Sequence, residues 1–271
     1  MKSKLNIFLS FLKSALYDLQ NYNAFKSQIF NIKSLKNKYR NNRCFIIANG
    51  PSIAEEDLTK LKNEFTFVSN HFIQNPSFLD INPNFYFASD SKFFLPYLDK
   101  KWESLFKKVP DTLELFFTYR GQKLVQKSNI FSKFRKYFLR YHPKPIWEIG
   151  RINLNLEEEL FTGDTVIIDF CIPAAIYMGF TEIYLLGVDC NYSFNEDGSV
   201  KYGFKTSEIT TGRSSNAYLK GQWVLNVKKS YEIINNTIQG IEIYDLSTKG
   251  KLNIFPKKNL TQVLSNIENE A

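Results

Sequence analysis

From residue 44 onward the chain alternates short apolar runs with polar, helix-compatible stretches. "CFIIA" (44–48) predicts a strand that runs into Asn-Gly-Pro-Ser and then into "IAEEDLTKL", whose pattern predicts a helix over 53–62. "FTFVS" (65–69), "NFYFAS" (84–89) and "TLELFFTY" (112–119) read as further strands, with a short helix near 91–98. Between 120 and 160, Lys, Arg, Phe and Tyr interleave without a clear period, and the two prolines of "YHPKPIWEIG" predict irregular backbone. That stretch is expected to form a smaller, lid-like subdomain. In "TGDTVIIDFCIPAAIYMGF", Thr162, Gly163 and Asp164 offer a helix start, Gly179 a stop, and Pro173 a kink. "TEIYLLGVD" predicts a buried strand ending at Asp189. A loop over about 190–214, a helix over 215–237 and a last strand in "IEIYDLS" follow. The alternation predicts an α/β fold: a doubly wound, mainly parallel sheet of Rossmann-like type.

The segment before residue 44 follows a different pattern. Leu5, Phe8, Leu9, Leu12, Ala15, Leu16 and Leu19 recur at spacings of three and four, which predicts an amphipathic helix. Charge sharpens this division. Residues 1–43 hold nine Lys or Arg and one acid, Asp18, so they carry the whole net charge of +8; the remaining residues balance 26 basic against 26 acidic side chains. The expected organisation is a basic helical arm over 1–43, an α/β domain over 44–256 and a tail over 257–271. Such an arm suits an anionic membrane surface, where each nearby basic residue contributes on the order of 1 kcal/mol. Packing on the chain's own domain, or on a second copy in a homo-oligomer, is the plainer use of the same face. A neutral body without a recognisable motif argues against nucleic acid as a partner.

Lys13 interrupts the early apolar run, and no clean cleavage site follows, so a signal peptide is not expected. No apolar stretch reaches the roughly 18 residues of a membrane span. Cys44, Cys171 and Cys190 form no CxxC pair and lie in or beside apolar runs, which predicts buried, reduced thiols in a cytoplasmic protein. With only His71 and His142, a histidine-rich metal site is excluded, and no metal is expected.

Candidate chemistry gathers at predicted strand ends. Asn49, Gly50, Asn70, Ser89, Asp90, Asp189 and Ser247 fall at or just past them, where open parallel sheets bind ligands. Gly50 would let a ligand approach the backbone, and Asn49 would donate through its amide. Ser52 with Glu55 three positions on predicts a capping box. Pro51 lacks an N–H, and Glu55, Glu56 and Asp57 already supply negative charge at that helix start. The turn therefore either reverses the chain or holds a ligand. Neither GxGxxG nor GxxxxGK[ST] occurs, so classical dinucleotide and Walker-type ATP binding are not supported.

Four blocks resemble bacterial sialyltransferases of glycosyltransferase family 42: "FIIANGPSI", "VSNHF" (68–72), "MGFTEIYLLGVDCNY" (178–192) and "IEIYDLSTKGKLNIF" (241–255). They also resemble a broader bacterial family of uncharacterised and flagellin-modifying proteins that includes an archaeal pterin diphosphokinase. The first resemblance implies a single GT-A-like nucleotide-binding domain that uses a CMP-linked acidic sugar, without metal and with inversion. It implies donor contacts from Asn49, Gly50 and Asn70 and from the turn Thr162, Gly163, Asp164 and Thr165; Pro51 and Ser52 of the first turn, and Asp189 and Ser247 at their strand ends, are candidate binding residues by position. Tyr192 and Tyr202 would stabilise the departing phosphate.

One departure concerns the base. The family uses a histidine after the mobile loop, and here none follows residue 142. His71 and Asp90 are the available substitutes at strand ends, although a lone histidine there is more often a binding or structural residue. Glu208 and Arg213 lie in the loop without an imidazole. The implied acceptor is an oligosaccharide or lipid-linked glycan of lipopolysaccharide or capsule biosynthesis, at the inner face of the cytoplasmic membrane. The competing readings are ATP- and Mg²⁺-dependent phosphoryl or diphosphoryl transfer, with Asp90 or Asp189 as metal ligand, and a membrane-associated binding subunit without catalysis.

Overall fold

The computed structural model describes residues 28–89, 100–191, 201–205, 221–247 and 249–265, together with Leu16. Eight strands form one sheet: β1 (Arg43–Ile47), β2 (Phe65–Ser69), β3 (Phe85–Ala88), β4 (Glu114–Thr118), β5 (Lys136–Pro145), β6 (Glu159–Thr162), β7 (Glu182–Leu186) and β8 (Glu242–Asp245). Their order is β6-β5-β4-β3-β2-β1-β7-β8, and every adjacent pair is parallel. The chain builds outward from β1 to β6, then crosses back to place β7 on the other side of β1. The topological switch point therefore lies between β1 and β7.

Alternation within the strands feeds two cores, as a sheet covered on both faces requires. One face carries Ile46, Phe67, Phe87, Phe116 and Tyr137 against Ile168, Phe170, Cys171 and Ala174; the other carries Phe45, Val68, Tyr86 and Phe117 against Leu58, Phe106 and Leu260. On the first face, rings of β2 to β5 stack in a row, with centroids of Phe67–Phe87 at 5.5 Å, Phe87–Phe116 at 4.5 Å and Phe116–Tyr137 at 4.6 Å. The high aromatic content is thus spent on the sheet. The described helices include α1 (Lys100–Lys108), α2 (Gln122–Lys127), α3 (Ile172–Tyr177), α4 (Gln222–Thr237) and α5 (Leu260–Ser265).

Several expectations change. The helix expected at 53–62 is two 3₁₀ turns, Pro51–Glu55 and Leu58–Leu61. Asp57 breaks it by accepting from the Thr59 amide at 3.2 Å and hydroxyl at 2.6 Å, a local bond that competes with helix propagation. The stretch 120–160 is not a lid, because it supplies β5 and β6 to the main sheet. Its prolines sit where the β5–β6 register shifts between His142 and Pro145, a place where a missing N–H costs little. Within 162–179 a π-helical turn, Ile167–Cys171, precedes α3, and Pro173 is the second residue of α3.

The expected boundary at 43 also moves. Ile32 and Leu35 are fully buried, and the amides of Asn37, Tyr39 and Asn41 donate to Tyr177, Met178 and Gly179 carbonyls. Tyr39 stacks on Phe180 at 5.2 Å. Residues 28–42 are thus part of the α/β body. The short helix near 91–98 and, apart from Leu16, the amphipathic run at 5–19 lie outside the described residues. No helix among the described residues is long and apolar enough to cross a membrane. All three cysteines are free and buried, and burial raises each thiol above its ordinary range.

Candidate functional site

β1 ends at the switch point, and the turn Asn49–Ser52 leaves it there. Gly50 donates its amide to the Gly187 carbonyl at 3.0 Å, tying the exits of β1 and β7. A Cβ on Gly50 would stand 2.3 Å from the Gly187 oxygen and 2.6 Å from Asp189 Oδ2. The glycine therefore answers first to the protein's own packing, and the free backbone approach expected for a ligand is taken up on that side by Asp189. The capping box does not form. Ser52 instead donates its amide to Asp189 Oδ2 at 2.9 Å and its hydroxyl to Oδ1 at 2.5 Å, while Glu55 pairs with Lys249. Asp189 is 5% exposed, and its carbonyl accepts from the Lys251 amide at 2.6 Å. A buried carboxylate thus holds the turn from beneath.

Ser247 completes this latch from β8. Its hydroxyl accepts from the Val188 amide at 3.0 Å, and its own amide donates to Asp245 Oδ1 at 2.8 Å. Lys257 reaches Asp245 Oδ2 at 2.5 Å and the Ser247 carbonyl at 2.9 Å. Burial nevertheless raises the Asp245 carboxyl above its ordinary range, against the pull of Lys257. Sequence reading passed over Asp245 and Lys257, since neither carries a motif and their pairing depends on the fold.

The exit of β2 adjoins the turn. Asn49 donates its Nδ2 to the Ser69 carbonyl at 3.2 Å, and Tyr86 donates its hydroxyl to the Asn70 carbonyl at 2.6 Å. Asn70 takes a positive φ of 49°, Asp164 one of 65° and Cys190 one of 50°, so three strand exits at this edge carry non-glycine residues in the left-handed region. Such backbone persists where surrounding structure enforces it and often marks function. His71 is 3% exposed, lies 3.3 Å from Gln74 through Nδ1, and its ring meets Tyr202 at 5.4 Å. The 201–205 segment is fastened over the turn, with the Gly203 amide donating to the Asn49 carbonyl at 3.0 Å. A Cβ at Gly203 would meet the Gly50 carbonyl at 2.7 Å.

Burial lowers the His71 pKa from its ordinary 6.5 to about 4. The imidazole is neutral at pH 7, able to accept a proton but a weak base. Between pH 6.5 and 4 the unfolded chain binds a proton that the native site refuses, so stability falls as pH drops through this window. The full shift corresponds to about 3 kcal/mol. Urea denaturation at pH 7 and pH 4.5 should show a steeper loss for the native protein than for His71→Gln. Equal losses would mean that His71 titrates normally.

The turn Thr162–Thr165 follows β6, five strands from β1. Thr162 and Gly163 donate to Asp169 Oδ1 at 3.2 and 2.6 Å, and the Thr165 hydroxyl accepts from the Ile168 amide at 3.3 Å. The helix then packs beneath the sheet, where Cys171 and Ala174 share a core with Cys44 and Ile46 of β1. Asn49, Gly50, Pro51, Ser52, Asn70, His71, Asp189, Tyr202 and Ser247 are therefore brought together, whereas Thr162–Thr165 lie on the same carboxyl edge five strands from β1. Asp90 and Tyr192 lie outside the described residues.

Among the described residues, Asn49 Oδ1, Ser69 Oγ and Thr118 Oγ1 are buried polar atoms at this edge without a hydrogen-bond partner. Ser69 and Thr118 escaped sequence reading because a hydroxyl at the end of an apolar strand carries no motif. A cavity of about 700 Å³ lies at the opposite, amino edge, lined by Arg43, Glu64, Glu182, Tyr184 and Lys258. It is bordered by the Arg43–Glu64 ion pair and is remote from the turn.

The family model for 6-hydroxymethylpterin diphosphokinase MptE-like proteins matches residues 18–195. Among solved structures the chain is similar to the MAf glycosyltransferase from Magnetospirillum magneticum AMB-1, with a TM-score of 0.50 and 14% sequence identity. That similarity covers 84% of this chain and 35% of the glycosyltransferase, so the chain spans about a third of its length, and at this identity the likeness is one of fold. No curated protein sequence matches the chain.

Proposed function

Because the chain belongs to the MptE-like family, we propose that it is a transferase acting on a nucleotide-activated donor bound where β1 and β7 diverge. The observation that carries this reading is the placement of the Asn49–Ser52 turn at the switch point, latched by Asp189 and roofed by Tyr202 and Gly203. Open parallel sheets bind nucleotides in that crevice. The reading favoured is glycosyl transfer from a nucleotide sugar, with a CMP-linked acidic sugar as the donor and a surface glycan or its lipid-linked precursor as the acceptor. The fold shared with a glycosyltransferase and the four sequence blocks support it.

In this reading Asn49 and Asn70 hold the donor, while Asp189 and Ser247 fix the turn. Tyr202, from the roof segment, assists the leaving phosphate by donating to developing charge. His71 or Asp90 receives the acceptor's proton. Tyr192 and the Thr162–Thr165 turn complete the donor side, and the basic arm holds the enzyme at the inner membrane face near its acceptor.

A second reading, diphosphoryl transfer from ATP with Mg²⁺, is favoured by the name of the family model. Asp189 has both oxygens engaged by Ser52, which leaves Asp90 as the metal ligand that this reading requires.

Thermal unfolding with CMP, UDP, GDP and ATP, each with and without Mg²⁺, separates the two. At a ligand concentration of 100 Kd the stabilisation is about 2.7 kcal/mol, enough to read as a shift of several degrees. A metal-independent shift with CMP is expected. A shift with ATP and Mg²⁺ alone would replace glycosyl by diphosphoryl transfer, and no shift with any nucleotide would remove the transferase reading.

A further inference from the structure

Residues 33–42 run along the amino edge of the sheet, opposite the crevice. Lys33 pairs with Glu157 ahead of β6 at 3.5 Å, Lys38 reaches Glu114 at the start of β4 at 3.6 Å, and Tyr39 packs on Phe65 and Phe85 at the starts of β2 and β3. Lys36 and Arg40 stand exposed on the same run. The entries to β4 and β5 add a second group. Arg135 shares Glu114 with Lys38, also at 3.6 Å, and Lys133 donates to the carbonyls of Lys107 and Val109 at 3.3 and 2.5 Å. Lys107 and Lys108 close α1 there.

Segments far apart in sequence thus bring Lys33, Lys36, Lys38, Arg40, Lys107, Lys108, Lys133 and Arg135 to one edge, all of them exposed. Glu103, Asp111, Glu114, Glu157 and Glu158 face them and leave an excess of positive charge. Glu182 and Glu242 begin β7 and β8, so the excess lies on the β1–β5 side. Around the Asn49–Ser52 turn the charges balance instead, with Glu55, Glu56, Asp57 and Asp189 against Lys201, Lys205, Lys249 and Lys251.

Exposed apolar side chains accompany the cations. Phe30 is 78% exposed in the helical turn over 28–33, three residues before Lys33. Leu16 belongs to the apolar stripe of the basic arm; it is helical and 56% exposed, so the body does not cover it. The arm joins the body at residue 28, and buried Ile32 and Leu35 anchor that junction. Cations interspersed with exposed apolar groups suit an anionic lipid surface. Nucleic acid would reward the cations but not an exposed leucine.

We propose that the amino edge of the β1–β5 region lies on an anionic lipid surface, so that the crevice at the carboxyl edge opens away from the bilayer. Strands of five residues, rising about 3.3 Å each, hold the two edges roughly 17 Å apart. The orientation stands on the charges and the exposed side chains; its consequence for the acceptor rests on the transferase reading. With the donor in the crevice, the acceptor hydroxyl has to stand at about that height. The outer end of a glycan already several sugars long meets this condition, and the first sugar on a lipid does not.

Two vesicle experiments on the full chain test the orientation. Lys36→Gln, Arg40→Gln and Lys108→Gln combined should weaken binding to phosphatidylserine-rich vesicles roughly a hundredfold, at about fivefold for each basic residue. Lys201→Gln, Lys205→Gln and Lys251→Gln combined remove the same charge from the crevice side and should bind as the native protein does. Equal weakening by both sets, or native binding by the first, overturns the orientation. Because Cys44, Cys171 and Cys190 are buried, a fluorophore can be attached selectively to Phe30→Cys or to Lys251→Cys. Brominated lipid should quench the probe at position 30 and spare the one at 251; equal or reversed quenching overturns the orientation as well. Nucleotide stabilisation without vesicles should be the same in the first variant and the native protein, so a failed orientation leaves the transferase reading intact. Absence of nucleotide binding would remove the consequence for the acceptor and leave the orientation standing.

Discussion

A Gly50→Ala variant is expected to lose about 2–3 kcal/mol of stability in urea denaturation, with no ligand present. The added methyl would stand 2.3 Å from the Gly187 carbonyl oxygen, a backbone atom that can withdraw only by shifting the exit of β7. It would also press on the Asp189 carboxylate at 2.6 Å and so disturb the acceptor of both Ser52 hydrogen bonds. Gly50 has φ −65°, which any residue adopts, so the penalty is one of space and not of dihedral angle. Nucleotide binding should disappear with the stability. A variant of native stability that no longer binds nucleotide would instead show that the glycine serves the ligand directly.

The second large effect belongs to Asp189. Asp189→Ala strands the buried amide and hydroxyl of Ser52, each worth about 1–3 kcal/mol when left unpaired, so a loss of about 2–4 kcal/mol is expected. Asp189→Asn keeps one oxygen for the amide and should recover about half of that stability. Donor affinity should follow the same ranking as the turn loosens. Asp189→Ala with native affinity and native stability but reduced turnover would make Asp189 a participant in the chemistry rather than the residue that positions the turn.

Much of this site was legible because parallel strands announce their ends. An apolar run that stops at Asn49, at Ser69–Asn70 or at Asp189 fixes a carboxyl edge without any knowledge of strand order. The partner of Ser52 was not legible in the same way. Glu55 offered a local acceptor three residues on, and the actual acceptor lies 137 residues away. Local rules rank the near partner first, and only the adjacency of β1 and β7 reverses that ranking.

The stretch 120–160 misled for a related reason. Proline and charge argue against a strand when each residue is judged alone, yet β5 places its prolines at its last residues, where the register with β6 is already broken. Thr118 shows the opposite difficulty. Threonine is an ordinary strand residue, so its unpaired hydroxyl becomes visible only once the neighbours are in place.

The position of β1 also shapes the life of the nascent chain. Cys44 pairs with Phe65 soon after both leave the ribosome, but its other neighbour is Ile183, made far later. At roughly 5–20 residues per second, β1 waits on the order of 10 s with one edge bare. During that interval the edge presents the unpaired amides and carbonyls of a Cys-Phe-Ile-Ile run, a template for mispairing between chains. Chaperone demand in the cell should therefore be set by the delay before β7 arrives.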